Sequence, residues 1–358
     1  MYIIYNFAAS KSNKMQLMEI LTKCFEQITF FTDLPYSLIK KLENLGPNII
    51  KCRLVFPGIT KFRGITVPLF SHYISKHNCL KKGIPVLILD EIFSSSMIHA
   101  IFAKKLLNSV VYIYCAENLH YPIYLRVLGK FFSRYIDGAL CSCKETAEQL
   151  NKLGVINTHI CPYPIREIRL DQIKKVKRIN KVGFIGRLVK EKGIIELCEA
   201  MKSYPEKKLC VAGSGKLVNE VQKYNINYFG QLPLKDIDTF YSNIDLLVVP
   251  SQTTRSWSEQ YGRVIVEAMA RGIIVIGSDS GAIPEVISND RLIFKEQSVN
   301  SIVEKIHYLS HLSENELVRI SVNLRKRYEE KFSNNVFKRI IAELTGCKIS
   351  LFNRSTMK

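Results

Sequence analysis

The second half of the chain alternates short apolar runs with amphipathic stretches. Five runs have the length and character of strands: KVGFIG (181–186), KLCVAG (208–213), INYFG (226–230), DLLVVPS (245–251) and IIVIGS (273–278). Apolar runs of this length, bounded by Gly and Pro turns, predict strands buried on both faces. Strand–helix alternation with short turns predicts a doubly wound parallel sheet with helices on both sides. The first half repeats the style less cleanly, in ITFFTD (28–33), IIKCRLVF (49–56), PVLILDE (85–91), SVVYIYCAEN (109–118), GALCSC (138–143) and THICPYP (158–164). Two α/β domains in tandem are therefore expected, residues 1–165 and 181–331. The polar, basic stretch 166–180 has no strand pattern and is expected to be a linker. The tail from Val322 to Gly346 has helical spacing throughout.

A chain of 358 residues is long enough for two domains. Apolar residues make up 47% of it and charged residues 23%, the balance of an ordinary globular protein. No apolar run reaches the ~18–20 residues of a membrane span, and the N-terminal MYIIYNFAASKS lacks the basic start of a signal peptide. The ten cysteines follow no zinc-ligand spacing. Buried, reduced thiols in a cytoplasmic compartment are expected.

The net charge is +19. The first 180 residues hold 25 Lys and Arg against 12 Asp and Glu, so most of the excess lies there. Such a field suits an anionic partner. In YPIYLRVLGKFFSRYI (121–136), Arg126, Lys130 and Arg134 form a basic stripe at helical spacing, flanked by Tyr124, Leu128, Phe131, Phe132 and Tyr135. An interfacial helix on anionic lipid has this form, and so does a domain helix with a solvated face.

Candidate chemistry is concentrated in SEQYGRVIVEAMARGIIVIGSDSGAIPEVI (258–287). Glu259 and Glu267 stand eight positions apart around Gly262. In one continuous helix they would be roughly 12 Å apart and about 80° off a common face, too far for a close acid–base pair. Gly262 instead predicts a loop-to-helix junction, with Glu259 in the loop and Glu267 in the second turn. The amides of Tyr261, Gly262 and Arg263 then become N-terminal donors for an anion. Carboxylates for hydroxyls around an anion site describe a grip on a nucleotide sugar. Gly186, Arg187 and Lys192 leave another strand end, where cations can neutralise a diphosphate leaving group. Gly213 opens a GSG turn that fits either a lining of the nucleotide cleft or a plain strand-to-helix turn; it is not a full G-x-G-x-x-G, since position 218 is Val.

The stretch around Glu259 and Glu267 resembles the E-x7-E donor motif of retaining GT-B glycosyltransferases of family 4. FIGRLVKEKG (184–193) and INYFGQLPLKDIDTFYSNIDLLVVPS (226–251) resemble that family's motifs as well. The resemblance covers about residues 84–345. It implies two Rossmann-like doubly wound parallel-sheet domains facing a central cleft. It also implies a C-terminal crossover helix, about 332–358, that returns to the first domain. It assigns Arg187 and Lys192 to the donor phosphates, Glu267 to the ribose, Glu259 to the transferred sugar and Phe229 to the neighbourhood of the base. Glu117 and Asn118 fall on the acceptor side, where many members carry His. Ala8, Ala9 and Ser10 stand where a glycine-rich loop would follow the first strand.

The function implied is retaining transfer of a hexose-type sugar from a nucleotide-diphosphate sugar to a glycan or lipid-linked hydroxyl acceptor. The implied setting is bacterial surface polysaccharide or lipopolysaccharide assembly, in the cytoplasm or peripherally on the inner face of the plasma membrane. No metal or other cofactor is expected. The alternatives are another GT-B enzyme, a phosphorylase or nucleotide-sugar epimerase, or a basic nucleic-acid-binding protein. The last would need a recognisable module among interleaved basic and aromatic residues, and none is seen.

Overall fold

The computed structural model describes residues 1–5, 15–25, 29–32, 40, 48–51, 81–116, 122–234, 236–255 and 257–346. The chain divides into two compact units, Met1–Pro164 with Asn334–Lys358, and Ile165–Ser333.

Among the described residues, the first unit forms a seven-stranded parallel sheet. In chain order it contains β1 (Tyr2–Tyr5), α1 (Met15–Cys24), β2 (Thr29–Thr32), β3 (Asn48–Lys51), β4 (Val86–Ile88), α2 (Ile98–Leu107) and β5 (Val111–Cys115). It continues with α3 (Ile123–Ser133), β6 (Gly138–Cys141), α4 (Lys144–Lys152) and β7 (Thr158–Ile160). The strand order is β3-β2-β1-β4-β5-β6-β7, with every pairing parallel. Alternate residues of the central strands feed two separate cores. Val86, Ile88, Val111, Ile113 and Cys115 pack with Ala100, Ala103 and Leu107 of α2 and Leu150 of α4. Leu87, Tyr112 and Tyr114 point the other way, onto Leu17, Met18 and Leu21 of α1. That period of two is why β4 and β5 read as unbroken apolar runs.

The second unit opens with β8 (Lys181–Ile185), α5 (Ile194–Met201), β9 (Lys208–Ala212), α6 (Val218–Val221), β10 (Ile226–Tyr228), α7 (Ile237–Ser242) and β11 (Leu246–Val249). It goes on through α8 (Arg263–Met269), β12 (Ile274–Ser278), α9 (Ile283–Ile287), β13 (Ile293–Phe294), α10 (Val299–Ser310) and α11 (Glu314–Lys331). The sheet order is β10-β9-β8-β11-β12-β13, again all parallel. Strands β11 and β12 are buried along their whole length. The stretch 166–180, expected as a linker, packs on this unit. Lys174 Nζ donates to the carbonyl of Ile244 at 2.7 Å, and Val176 and Ile179 are buried. A polar, basic composition hid two apolar anchors.

The tail expected as one helical stretch is two helices, α11 and α12 (Asn334–Thr345), parted at Phe332–Ser333. A capping box of Ser313 and Glu316 starts α11. Helix α12 belongs to the first unit. Phe337 and Ile341 join the core beside Leu87 and Tyr112, and the Tyr112 hydroxyl donates to the carbonyl of Leu344 at 2.8 Å. The first sheet therefore gets part of its second covering layer from the far end of the chain.

The cysteines 115, 141, 143, 161, 198 and 210 are all buried. Burial, then the neighbouring Cys143, pushes the Cys141 thiol up to about 12.

Candidate functional site

The second sheet reverses its order between β8 and β11. In open parallel sheets such a reversal leaves a crevice outside the carboxyl ends of the two strands, where ligands bind. The residues singled out in this unit come from the loops after β8, β9, β10 and β11 and from the helix that follows β11.

Beyond β8 the chain passes Gly186 and Arg187 and makes one 3-10 turn, Lys190–Lys192. Gly193 ends the turn at φ +65°, and a Cβ there would lie 1.8 Å from the Pro250 carbonyl oxygen. Only glycine lets this loop lie directly on the end of β11. The Gln252 amide then donates to the Glu191 carbonyl at 2.9 Å. The two loops are thus joined backbone to backbone, and Lys192 is carried to the loop that holds Glu259.

Glu259 sits in that loop and is 8% exposed. Its Oε2 accepts from Lys192 Nζ at 2.6 Å and from Ser251 Oγ at 2.7 Å. Its carbonyl accepts from the Ala282 amide at 2.9 Å, tying the loop to the turn after β12. Gly262, at φ +67°, turns the chain into α8. The junction lies where the glycine predicts it, and Glu267 falls in the second turn.

The Glu267 carboxylate is held from two sides. Oε1 accepts from Arg263 Nε at 3.0 Å, and Oε2 accepts from the Tyr241 hydroxyl at 3.0 Å. Arg271 braces this arrangement. It lies over the Tyr241 ring at 4.5 Å, donates to the Glu267 carbonyl at 2.7 Å and pairs with Asp238 at 2.5 Å. Burial, then the Glu267 charge, raises the Tyr241 phenol well above its usual range, so it stays a neutral donor. A carboxylate with fixed, satisfied oxygens keeps one orientation.

Gly186, Gly213 and Phe229 line the adjoining strand ends. The Gly186 amide donates to Ala212 at 3.0 Å, the Gly213 amide to Gly230 at 2.7 Å and the Phe229 amide to Val211 at 2.8 Å. Phe229 is 39% exposed and rests edge-on against Phe240, 5.6 Å away. Tyr261 is buried against Phe332. Arg187 is largely exposed, 3.5 Å from Glu191 on its own loop. Two supported groups result, Lys192 with Glu259 and Ser251, and Glu267 with Arg263 and Tyr241, while Arg187 and Phe229 are exposed.

Sequence reasoning missed Ser251, Tyr241, Arg271 and Trp257. Ser251 ends the run DLLVVPS, and that was its one signal. Tyr241 acts on Glu267, 26 positions away, and Arg271 pairs with Asp238, 33 positions away, besides the Glu267 carbonyl four positions before it. Trp257 is the one tryptophan in the chain. It lies over Lys192 Nζ at 4.6 Å from the ring centroid.

In the first unit, Glu117 and Asn118 lie outside the described residues, as do Ala8, Ala9 and Ser10. At the end of β4, buried Asp90 accepts from Ser96 Oγ at 2.7 Å, and Glu91 Oε1 accepts from the Ala116 amide at 3.0 Å. Among the described residues, no group of three or more His, Cys, Asp or Glu side chains has the arrangement of a metal site.

Residues 166–330 match the family model described as glycosyl transferases group 1. The capsular polysaccharide biosynthesis glycosyltransferase CapM of Staphylococcus aureus is 32% identical over 190 residues, 48% of each chain. The putative teichuronic acid biosynthesis glycosyltransferase TuaC of Bacillus subtilis (strain 168) is 27% identical over 207 residues, 53% of this chain and 52% of that one. The matched part thus spans about half the length of these two relatives. A structure of Anabaena HepE with UDP and glucose superposes with a TM-score of 0.73 at 14% identity, covering 97% of this chain and 99% of that one. Sucrose-phosphate synthase from Thermosynechococcus elongatus gives 0.71 at 17%, covering 96% and 97%. The fold is GT-B: two α/β units, each on a parallel sheet.

Proposed function

We propose that this protein is a retaining GT-B glycosyltransferase of family 4. It moves a hexose-type sugar from a nucleotide-diphosphate sugar to a hydroxyl of a glycan or lipid-linked acceptor. The observation that carries the reading is the Lys192–Glu259–Ser251 cluster at the order reversal of the second sheet. A cation and a carboxylate side by side there suit the two halves of such a donor. The UDP and glucose in the HepE structure give a precedent for the ligand class. The polysaccharide roles in the names of CapM and TuaC give one for the setting.

In the reaction, Lys192 and Arg187 neutralise the charge that develops on the departing diphosphate. Preorganised donors of this kind are worth about 2.7–4 kcal/mol each. Glu267, locked by Arg263 and Tyr241, accepts hydrogen bonds from the ribose hydroxyls. Glu259 accepts from a hydroxyl of the transferred sugar. The attack is front-face, with the leaving phosphate taking the acceptor proton, and the cations serve in place of a metal.

The acceptor is reached at an anionic membrane surface, with the protein bound peripherally. Support comes from α3, where Ile123, Tyr124 and Val127 are 76%, 70% and 64% exposed beside the exposed Arg126 and Lys130. No helix among the described residues is long and apolar enough to cross a membrane.

A thermal-shift panel of UDP, GDP, ADP and dTDP sugars tests the reading. One nucleotide sugar is expected to raise the melting temperature of the protein. Proton NMR of the product is then expected to show the donor's anomeric configuration kept. No shift with any donor, or an inverted product, would contradict it.

A further inference from the structure

Trp257 is held in place by a small built turn. The Thr254 amide donates to the Trp257 carbonyl at 2.7 Å, closing an antiparallel bridge between the two residues. The Thr254 hydroxyl adds a second bond to the same carbonyl at 3.3 Å. The neighbouring Thr253 is fixed as well, by its hydroxyl on Ser280 Oγ at 2.9 Å and by its amide on the Glu296 carboxylate. This turn occupies the loop between β11 and Glu259, and it sets the half-buried indole over the Lys192 ammonium, 4.6 Å from the ring centroid.

Lys192 therefore has two attractive neighbours: the Glu259 carboxylate at 2.6 Å and the indole face. Its side chain is 20% exposed and that of Glu259 is 11% exposed, so water solvates the pair poorly. A long, flexible ammonium side chain has many rotamers, and a single short ion pair restrains only its tip. An aromatic face beside the cation restrains its approach and offers attraction that survives when the carboxylate is drawn elsewhere. In the reaction above, Glu259 turns to a sugar hydroxyl just as Lys192 must meet a phosphate oxygen. A second, aromatic contact keeps the ammonium at the site while Glu259 shares its carboxylate with that hydroxyl.

We infer that Trp257 is a positioning residue of the donor site, acting through Lys192: its indole face keeps the ammonium aimed at the donor diphosphate when Glu259 engages the sugar. The inference rests on the proposed function, since it presumes a diphosphate ligand.

The test is a double-mutant cycle on nucleotide affinity. UDP, GDP, ADP and dTDP, each free and as its sugar, are titrated into the full chain by calorimetry, and the best-binding nucleotide sugar is then measured with Trp257→Ala, Trp257→Phe, Lys192→Ala and Lys192→Ala combined with Trp257→Ala. A cation–π contact of ordinary strength corresponds to a loss of about 2-fold to 30-fold in affinity. Trp257→Ala is expected to fall in that window, and Trp257→Phe to recover most of the loss. In the Lys192→Ala background, removing the indole is expected to cost little more, which a merely structural tryptophan would not produce. With a single tryptophan, wild-type emission reports the site directly and is expected to change on nucleotide binding and on Lys192→Ala. Equal losses from Trp257→Ala with and without Lys192 would overturn the inference while leaving the donor site intact. Absence of binding by all four nucleotides and their sugars in the wild type would overturn the functional reading and the inference together.

Discussion

Lys192 Nζ and Glu259 Oε2 stand 2.6 Å apart, joining the loop after β8 to the loop after β11. The pair spans 67 positions of sequence and sits where the second sheet reverses its strand order. Truncating one partner leaves the other charge poorly solvated, so single changes should cost more than their shared bond is worth. Glu259→Ala and Lys192→Ala should each lower the transfer rate by at least about tenfold. Steady-state kinetics checks this, and undiminished kcat/KM in either variant would remove the pair from the reaction.

The backbone joint beneath the pair is also testable. Gly193→Ala puts a Cβ 1.8 Å from the Pro250 carbonyl oxygen and forces a non-glycine residue to φ +65°. The second unit should lose about 1–3 kcal/mol of stability or more, together with donor binding. Urea unfolding measures the first and calorimetry the second. A variant of wild-type stability and affinity would mean that the two loops do not depend on this contact.

Acid stability should report on the first unit. His99 is fully buried in α2, and that burial lowers its pKa from 6.5 to about 4. Above about pH 6.5 both folded and unfolded states hold neutral imidazole, and there is no penalty. As pH falls from 6.5 towards 4, the unfolded chain takes up a proton that the folded one refuses. The folded state then loses stability by about 3 kcal/mol. Urea midpoints at pH 7 and pH 4.5 should differ less in His99→Gln than in the wild type. An equal difference would show that His99 does not set this window.

Membrane attachment through α3 should be peripheral and salt-sensitive. Flotation with anionic vesicles is expected at low salt and should weaken as salt screens the cations. Changing both Val127 and Phe131, which is 44% exposed, to Ser should reduce it by about tenfold. Equal absence from neutral and anionic vesicles at low salt would place the acceptor in solution instead.

The parallel α/β architecture could be read from the sequence because its strands are buried on both faces. Short β-branched runs between Gly and Pro turns, as at β11 and β12, fit a buried strand better than a buried helix. The loop-to-helix break at Gly262 was legible for a similar reason, since glycine there marks a backbone turn that other residues resist. The support of Glu267 was not legible. Tyr241, in α7, and Arg271, in the turn after α8, carry no mark of their own until folding brings them to Glu267. The anchoring of 166–180 was hidden because Val176 and Ile179 sit among six basic residues whose charge dominates the local composition. The break at Phe332–Ser333 was hidden because both flanking segments keep helical periodicity.

The site assignment is tested most directly by the affinity of the best-binding nucleotide sugar for the wild type, Glu267→Gln and Glu267→Ala, measured by calorimetry with EDTA present. Charge-assisted bonds to a ribose hydroxyl contribute roughly 1.5–3 kcal/mol each. The wild type should bind tightly despite the chelator, with a loss of at least about tenfold in Glu267→Ala and a smaller loss in Glu267→Gln. Unchanged affinity in Glu267→Ala, or wild-type binding that returns only when Mg²⁺ or Mn²⁺ replaces the chelator, would contradict the assignment.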